Sequence, residues 1–380
     1  MRVFLSTADA SGDMHAADLL RAMNERCPGL EAFGLGGEAS LAAGLEPVVP
    51  QGELAIAGLV EVLGSIPRVV RAYTALRRAL VTRRPDLVVL VDSPDLNLRF
   101  AAVARRRGIP VFYYVAPQVW AWRPGRLRQL ARRTDRVAVI FPFEEALLRG
   151  AGIAATFVGH PLAARMARLR ESLEPKQVAA ELGLDLERPI LALLPGSRRN
   201  ELAGNLPLML EAARLLLEAI PDLQVQLLLA PTLVGDPPEL PDEVRLVRGR
   251  SHEAMAISSC VIAASGTVTL EATLLGVPLV VTHRVSRLSF EIVRRVATVP
   301  SSCMTNLIAD AGIVPERIQF MARPTAVAAL AARLIRVPQA RTEMFEAFGR
   351  VAEQLGRPDA ARHAADLALE AAGRAPAAGH

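Results

Sequence analysis

A short polar turn near the middle of the chain, Pro195-Gly196-Ser197-Arg198, has residue types suited to binding an anion. It follows the apolar run 190–194, and apolar residues at helical spacing resume at Leu202. This pattern predicts a buried strand, a turn and the start of a helix. The first turn of a helix presents free backbone N–H groups, and an arginine adds donors for phosphate oxygens. The segment therefore predicts a phosphate-binding turn, although an ordinary strand–helix corner with solvated arginines has the same pattern.

A second turn of the same kind, Ser265-Gly266-Thr267, begins another predicted helix, and Glu271 lies one turn further along it. Backbone N–H groups and hydroxyls at a helix start suit a diphosphate, and a carboxylate one turn later can accept hydrogen bonds from a ribose. On its own this segment is only a capped helix. Together with the Arg198 turn of the same predicted sheet, it favours a nucleotide-diphosphate site.

The N-terminal half contributes a candidate base. Asp92 ends the strand predicted over 86–92, and open α/β sheets bind their ligands beyond the carboxyl ends of the strands. A purely structural hydrogen bond from Asp92 to a neighbouring loop remains an alternative. Asp95 and Asn97 follow in positions that also suit helix caps.

Two further loops contain residues that we expect near a ligand. The first strand leads into a loop of small residues that includes Ser11-Gly12-Asp13. Both tryptophans of the chain, Trp120 and Trp122, lie in the loop after the strand predicted over 109–115. This loop is either a wall of the ligand site or a packed connection.

The elements that position these residues alternate between strand and helix. A chain of 380 residues exceeds one ordinary core, so two domains are expected. Two successive βαβ series predict an α/β protein with two Rossmann-like, doubly wound domains facing a cleft. We predict an N-terminal domain over 1–162, a C-terminal domain over 163–340, and C-terminal helices over 341–380 that could pack back on the N-terminal domain. In the second series, strands are predicted over 190–194, 223–229, 244–247, 260–264 and 278–282.

Charge and composition narrow the possible partners. The formal net charge is +5, which fits either solvated basic faces or an anionic partner such as nucleotide phosphates or an acidic membrane surface. Aromatic residues are not interleaved with the basic ones, so nucleic acid is not expected. The three cysteines lie far apart, which predicts neither a zinc site nor a disulfide framework and indicates a reducing compartment.

Membrane contact, if any, is expected to be peripheral. The start of the sequence has no signal-peptide pattern, and the longest uncharged stretch, 254–270, contains too many polar residues to span a bilayer. Residues 54–83 are predicted to contain an amphipathic helix. That helix either packs on the core or docks part of its apolar surface on a membrane or an acyl chain.

The chain contains an ordered set of motifs. The N-terminal motifs are Ala10-Ser-Gly-Asp13, Asp92-Ser-Pro-Asp-Leu-Asn97, Val119-Trp-Ala-Trp-Arg123, Phe141-Pro-Phe-Glu144 and Val158-Gly-His-Pro161. The C-terminal motifs are Leu193-Leu-Pro-Gly-Ser-Arg198 and Ala264-Ser-Gly-Thr267 with Glu271. In this order the motifs resemble those of the lipid-A-disaccharide synthases, glycosyltransferases of the GT-B fold, over nearly the whole chain.

The resemblance implies an inverting transfer of 2,3-diacylglucosamine from UDP to the 6-hydroxyl of 2,3-diacylglucosamine 1-phosphate, at the inner face of the cytoplasmic membrane. No metal and no cofactor are implied. Asp92 matches the family's candidate base, and Arg198 is expected to hold the leaving UDP without being the base. Asn306 matches a family asparagine near the nucleotide. The sequence leaves the oligomeric state open.

Several loops depart from the family's pattern, for example Ala8-Asp9 in place of Gly-Glu and Met304-Thr305 before Asn306. The donor elements depart less than the loops expected to meet the acceptor. Three alternatives therefore stay open: a related UDP-sugar transferase with another lipid acceptor, a UDP-N-acetylglucosamine 2-epimerase, and a non-catalytic nucleotide-sugar binder.

Overall fold

Runs of buried aliphatic residues form the strands of two separate parallel sheets. The structure, a computed structural model, describes residues 1–50, 62–117, 119, 125–231, 233, 239–285, 290–291, 301–356 and 359–373. The chain divides into two compact units. The first comprises Met1–Pro161 and the C-terminal segment after Gly356, and the second comprises Leu162–Gly356.

The first unit contains a seven-stranded parallel sheet with helices packed against it. The strands are β1 (Arg2–Ser6), β2 (Glu31–Leu35), β3 (Leu45–Pro47), β4 (Leu87–Val91), β5 (Val111–Tyr114), β6 (Arg136–Val139) and β7 (Ala155–Phe157). The helices are α1 (Ala10–Arg26), α2 (Glu38–Ala42), α3 (Val62–Arg83), α4 (Pro94–Arg105), α5 (Arg126–Arg133) and α6 (Pro142–Gly150). Every residue of β4 is fully buried, as expected for a central strand covered on both faces.

The strand order of this sheet is β3-β2-β1-β4-β5-β6-β7. Strands β1 to β3 therefore follow one another toward one edge of the sheet, and strands β4 to β7 follow one another toward the other edge. Such a reversal leaves a crevice at the carboxyl ends of the two central strands, where doubly wound sheets bind ligands. Asp92 directly follows β4 at this point, and the first loop follows β1.

The second unit contains a six-stranded parallel sheet. Its strands are β8 (Ile190–Leu194), β9 (Gln224–Leu229), β10 (Val244–Arg248), β11 (Cys260–Ala263), β12 (Leu279–His283) and β13 (Glu316–Ile318). Helices α7 (Pro161–Ser172) and α8 (Pro175–Leu182) precede the sheet. The later helices are α9 (Arg199–Ala219), α10 (Ser251–Ala256), α11 (Thr267–Leu275), α12 (Met304–Ala309), α13 (Pro324–Arg336) and α14 (Pro338–Leu355).

The strand order of the second sheet is β10-β9-β8-β11-β12-β13. The reversal here lies between β8 and β11, and the turns that follow these two strands are the two phosphate turns predicted from the sequence. The five strands predicted for this series are present, the first with the same ends and the other four with ends shifted by one residue. Short β13 was not predicted, because three half-buried residues carry no clear alternation.

The C-terminal helices divide between the two units. Helix α14 packs on α11, α12 and α13 of the second unit, so the predicted boundary at 340/341 falls inside a helix. The last helix, α15 (Ala360–Ala371), packs on α1 of the first unit, where Arg26 pairs with Asp366.

Helix α3 covers the second part of the predicted amphipathic segment. Leu76 and Leu80 are fully buried, and the ring of Tyr73 stacks on Phe100 with centroids 5.2 Å apart. Val70, in contrast, is 56% exposed. Residues 51–61 of the segment lie outside the described part of the chain. Within that described part, no helix is both long and apolar enough to cross a membrane.

Candidate active site

The two predicted phosphate turns of the second unit line one cavity of about 290 Å³. It lies at the carboxyl ends of β8 and β11, and this volume is near the lower end of the range for ligand pockets, about 300–1,000 Å³. The predicted residues that line it are Gly196, Ser197, Ser265, Gly266, Thr267 and Glu271. The structure thus brings together two segments about seventy residues apart in the sequence, because their strands are neighbours.

The first turn depends on a glycine and a carboxylate. Gly196 has φ +125°, and a Cβ there would lie 2.5 Å from Oε2 of Glu201. The backbone N–H of Ser197 donates to that Oε2 at 2.9 Å. Arg198 caps α9, its side chain is 78% exposed, and its Nη1 lies 3.8 Å from Oε1 of Glu201. Glu201 therefore fixes the turn and leaves the Arg198 guanidinium in solvent beside the cavity.

Asn205 ties this turn to the rest of the sheet, a role that the sequence analysis missed. Its buried side chain donates to the carbonyl of Pro195 at 2.9 Å and accepts from the N–H of Arg284 at 2.7 Å. Asn205 lies two turns into α9, so only its tertiary contacts show that it positions the turn after β8.

The second turn presents hydroxyls and a carboxylate to the same cavity. The Ser265 hydroxyl donates to the Ser302 carbonyl at 2.7 Å, and the Thr269 hydroxyl donates to the Gly266 carbonyl at 2.9 Å. One helical turn into α11, Oε2 of Glu271 lies 3.3 Å from Nε2 of His252. His252 also lines the cavity and was not predicted, because a single histidine in a short helix carries no pattern.

Asn306, which was predicted near the nucleotide, has its side chain hydrogen-bonded within the second unit. It is buried, and its amide nitrogen donates to the Val314 carbonyl at 2.9 Å and to Oε1 of Glu316 at 2.8 Å. Its oxygen accepts from the N–H of Val314 at 2.8 Å. These bonds hold the connection between α12 and β13, and among the described residues Asn306 is not one that lines the cavity.

In the first unit, Asp92 has an unusual backbone conformation. Both Asp92 and Ser93 are left-handed, with φ +48° and +44°, a conformation that costs free energy for residues other than glycine. The Asp92 carbonyl accepts hydrogen bonds from the Tyr113 hydroxyl at 2.6 Å and from the Asn97 amide at 2.8 Å. These buried donors hold the strained turn that follows β4.

The environment of Asp92 raises the pKa of its carboxyl to about 6. Burial is the larger cause, and the negative charge of Asp9 adds to it. The Asp9 carboxylate accepts from the Gly12 N–H at 2.7 Å and from the Ser93 hydroxyl at 2.8 Å. A carboxyl whose pKa is near the working pH is suited to accept a proton during a reaction.

Two of the polar residues predicted near the ligand have structural contacts. Asn97 is fully buried and donates to the carbonyls of Ser6, Val91 and Asp92. The buried Asp13 carboxylate accepts from backbone N–H groups at the start of α2, including that of Gly37 at 2.7 Å.

The remaining residues predicted in the first unit divide three ways. Gly12 has no room for a side chain, because a Cβ there would overlap the Thr7 hydroxyl. Ser11 is exposed in the first turn of α1. Trp120 and Trp122 lie outside the described residues.

The match to a protein family covers almost the entire chain. The family model described as lipid-A-disaccharide synthetase matches residues 3–370. This chain belongs to that family. The lipid-A-disaccharide synthase of Geobacter metallireducens is 39% identical over 378 residues, which are 98% of both chains. Family membership makes the chain a glycosyltransferase.

Solved structures agree with the GT-B type of fold for this lipid-A-disaccharide synthetase family member. UDP-GlcNAc 2-epimerase from Neisseria meningitidis, bound to UDP-GlcNAc, has a TM-score of 0.65 at 13% identity, covering 97% of this chain and 99% of that one. The calicheamicin glycosyltransferase CalG4 has a TM-score of 0.60 at 16% identity, covering 97% and 98%. At these identities the likeness shows the fold alone. The family match decides between transferase and epimerase.

Proposed function

We propose that this chain transfers 2,3-diacylglucosamine from UDP to the 6-hydroxyl of 2,3-diacylglucosamine 1-phosphate, forming the β-1,6-linked disaccharide 1-phosphate and UDP. The observation that supports it best is the shared cavity of the Gly196–Arg198 and Ser265–Thr267 turns. Two helix starts and a set of hydroxyls converge there on one small space, and the exposed guanidinium of Arg198 lies beside it. This combination suits a diphosphate.

Each donor-site residue has a distinct task in this proposal. The turn after β8 and the start of α11 donate to the diphosphate oxygens, and Arg198 balances the negative charge that grows on the departing UDP. Glu271 accepts hydrogen bonds from the ribose hydroxyls. Arg198 suits the diphosphate because it is exposed and held only loosely by Glu201, so that it can turn toward an anion.

Asp92 is the general base in this proposal. The 6-hydroxyl oxygen attacks the anomeric carbon, its proton passes to the Asp92 carboxylate, and the bond from that carbon to the diphosphate breaks with its electron pair going to UDP. A single displacement of this kind inverts the anomeric configuration. With a pKa of about 6, Asp92 is mostly ionised at neutral pH and more basic than an ordinary carboxylate.

We also propose that the chain associates peripherally with the inner face of the cytoplasmic membrane, where both substrates have their acyl chains. Its net charge of +5 favours an acidic surface. Helix α3 adds the exposed Val70 beside Arg68 and Arg71. A Val70→Ser variant should sediment less with anionic vesicles than the unmodified chain, and equal sedimentation would argue against this part of the proposal.

The central test is release of UDP from UDP-2,3-diacylglucosamine in the presence of the monosaccharide phosphate. We expect Asp92→Asn to reduce the rate by about 10²-fold or more, as for loss of a general base, while UDP binding stays unchanged. Asp86→Asn is the matched control, since Asp86 precedes β4 at its opposite end and accepts only from the backbone N–H of Arg2 among its described contacts.

Three outcomes would contradict parts of the proposal. Equal rates for Asp92→Asn and the unmodified chain would exclude Asp92 as the base. UDP binding without any turnover would favour a non-catalytic nucleotide-sugar binder. Turnover only with a different lipid acceptor would retain the donor site and replace the acceptor.

A further inference from the structure

The first unit contains a basic cavity of about 450 Å³ beside the Asp92 turn. The N-terminus of α4 and both ends of α5 form its walls. Three guanidinium groups (Arg99, Arg126 and Arg133) and one carboxylate (Asp95) line it, for a net charge of +2. We call it the Arg126 cavity. Nothing in the transfer chemistry described above uses it.

Two of the three arginines of the Arg126 cavity, Arg126 and Arg133, are held in place. Arg126 is the first residue of α5, its side chain is 11% exposed, and it pairs with the mostly exposed Asp95. Arg133, at the other end of α5, donates from Nη1 to the Leu98 carbonyl at 2.9 Å and to Oε1 of Gln129 at 3.2 Å. Guanidinium groups fixed in this way bind an anion with little loss of side-chain entropy.

The N-terminus of α4 adds to the positive potential. Pro94 begins this twelve-residue helix, and its N-cap, Ser93, makes no side-chain cap hydrogen bond. The helix dipole therefore directs its positive end toward a cavity that is already basic.

The Arg126 cavity and the Asp92 turn are neighbours within the first unit. Asp92 is two residues from Pro94, which lines the cavity. The buried Tyr113 hydroxyl donates to the Asp92 carbonyl at 2.6 Å. Burial and the charge of Asp92 raise the pKa of Tyr113, and the charge of Arg126 lowers it. The hydroxyl is thus within electrostatic reach of both groups.

We propose that the Arg126 cavity binds the phosphate monoester of the acceptor sugar. This inference rests on the proposed function, in which the acceptor presents its 6-hydroxyl to Asp92. Its phosphate is on C1 of the same sugar, and only the ring oxygen separates C1 from C5, the carbon that carries the 6-hydroxymethyl group. A subsite for the phosphate must therefore lie within one sugar's length of the base. A dianionic phosphate matches a cluster of three arginines, two of them held in place, better than a neutral sugar hydroxyl does.

The Asp95 carboxylate forms an ion pair with the Arg126 guanidinium while the phosphate is absent. An exposed carboxylate in contact with a nearly buried guanidinium can move into solvent when a stronger anion arrives. Asp95 therefore keeps Arg126 oriented and also competes with the phosphate. This arrangement predicts that removing the Asp95 charge increases phosphate affinity, the opposite of the usual effect of a binding-site mutation.

Direct binding to the full-length protein tests the site without requiring turnover. The probe is glucosamine 1-phosphate, and its binding is measured by phosphorus NMR. Glucosamine, which lacks the phosphate, is added as a competitor to detect binding through the sugar alone. We expect Arg99→Ala/Arg133→Ala to weaken phosphate binding by about tenfold or more, the loss typical of hydrogen bonds to charged groups. Arg128→Ala/Arg132→Ala is the matched control, because both residues are exposed on α5 and neither lines the cavity. Asp95→Asn should bind the probe several-fold more tightly.

Kinetic assays and sedimentation with vesicles distinguish the two phosphates that the cavity could bind, that of the acceptor sugar and that of a lipid headgroup. With the lipid substrates, the KM for the acceptor should rise in Arg99→Ala/Arg133→Ala while the KM for the donor stays unchanged. Unchanged binding of glucosamine 1-phosphate by this variant overturns the inference. Loss of sedimentation with anionic vesicles, at unchanged probe binding, also overturns it, since the cavity then serves lipid headgroups. If the probe binds as expected and no UDP is released, the proposed function fails on its own.

Discussion

Asp9 and Asp92 follow neighbouring strands of the first sheet, and the hydroxyl of Ser93 donates to the Asp9 carboxylate at 2.8 Å. This bond holds one acidic side chain close to another. The pKa of Asp92 is raised to about 6, first by burial and then by the charge of Asp9. Asp9 is therefore a positioning residue that also tunes the basicity of Asp92.

Asp9→Asn should move the acid limb of the pH–activity profile to lower pH. The substitution removes one negative charge, so Asp92 ionises more readily and remains a base in more acidic solution. An asparagine can still accept from the Gly12 N–H and donate to Ser93, which preserves the turn. The measurement is kcat/KM for UDP release across the range in which Asp92 titrates.

Ser93→Ala is the control for Asp9→Asn, because it removes the hydrogen bond and retains the charge. Its acid limb should move less than that of Asp9→Asn. An acid limb that stays in place in Asp9→Asn would show that the charge of Asp9 does not act on the base.

Asp92→Asn should stabilise the protein above the pKa of Asp92. The folded-state pKa of about 6 exceeds the ordinary value of 3.8, so the folded state binds a proton more tightly than the unfolded state does. The unmodified chain therefore gains stability as the pH falls from about 6 toward 4, and this gain is absent at higher pH. Removing the ionised carboxylate should raise the free energy of unfolding by about 1–3 kcal/mol at pH about 8.

Urea unfolding at the two pH values measures this effect. The stability advantage of Asp92→Asn should shrink at pH about 5, where the unmodified carboxyl is mostly protonated. Asparagine also tolerates the left-handed conformation at this position, so backbone strain does not change. Equal stability of the two proteins at the higher pH would show that the carboxylate is not desolvated in the folded state.

The sequence predicted the fold better than it predicted which polar residues face a ligand. Strand runs such as 190–194 are buried on both faces, so continuous apolar residues mark them, and strands alternating with helices then determine a doubly wound sheet. The turns after β8 and β11 could be found for the same reason. Their small residues follow strands, and neighbouring strands bring them together.

The contacts of buried asparagine side chains could not be predicted from the sequence. Asn97, Asn205 and Asn306 are all buried and hydrogen-bonded to backbone groups outside their own helices. An asparagine in a loop or early in a helix has the same local pattern whether it meets a ligand or a carbonyl. Only the three-dimensional positions of its partners distinguish the two. His252 was missed for the same reason, since its contact with Glu271 joins two different helices.

The two glycines of the donor cavity should respond differently to substitution. Gly196→Ala combines a positive φ of +125° with a Cβ placed against Glu201, and should cost about 1–3 kcal/mol of stability and weaken UDP binding. Gly266 is in extended backbone, and a Cβ there meets no atom of the protein within 4 Å. Gly266→Ala should change stability by less than about 0.5 kcal/mol and still weaken UDP binding, because the methyl group enters the cavity.

Calorimetry with UDP and urea unfolding separate these two effects. The pair serves as its own control, since both variants add one methyl group to the same cavity. If Gly266→Ala binds UDP as well as the unmodified chain does, the diphosphate does not approach the start of α11.

Glu271 gives a test of the ribose contact that is independent of the diphosphate. Its carboxylate lines the donor cavity and lies 3.3 Å from His252, which orients it on one side. In our proposal it accepts from the ribose hydroxyls, so the unmodified chain should bind UDP more tightly than 2′-deoxy-UDP. A hydrogen bond to a charged group contributes about 1.5–3 kcal/mol when its partner is otherwise left unpaired, which corresponds to about tenfold or more in affinity.

Glu271→Gln should lose most of this preference and bind 2′-deoxy-UDP nearly as the unmodified chain does. His252→Ala is the control, since it retains the carboxylate and should keep the preference. A preference unchanged in Glu271→Gln would place the ribose away from α11, and the cavity would then hold only the diphosphate.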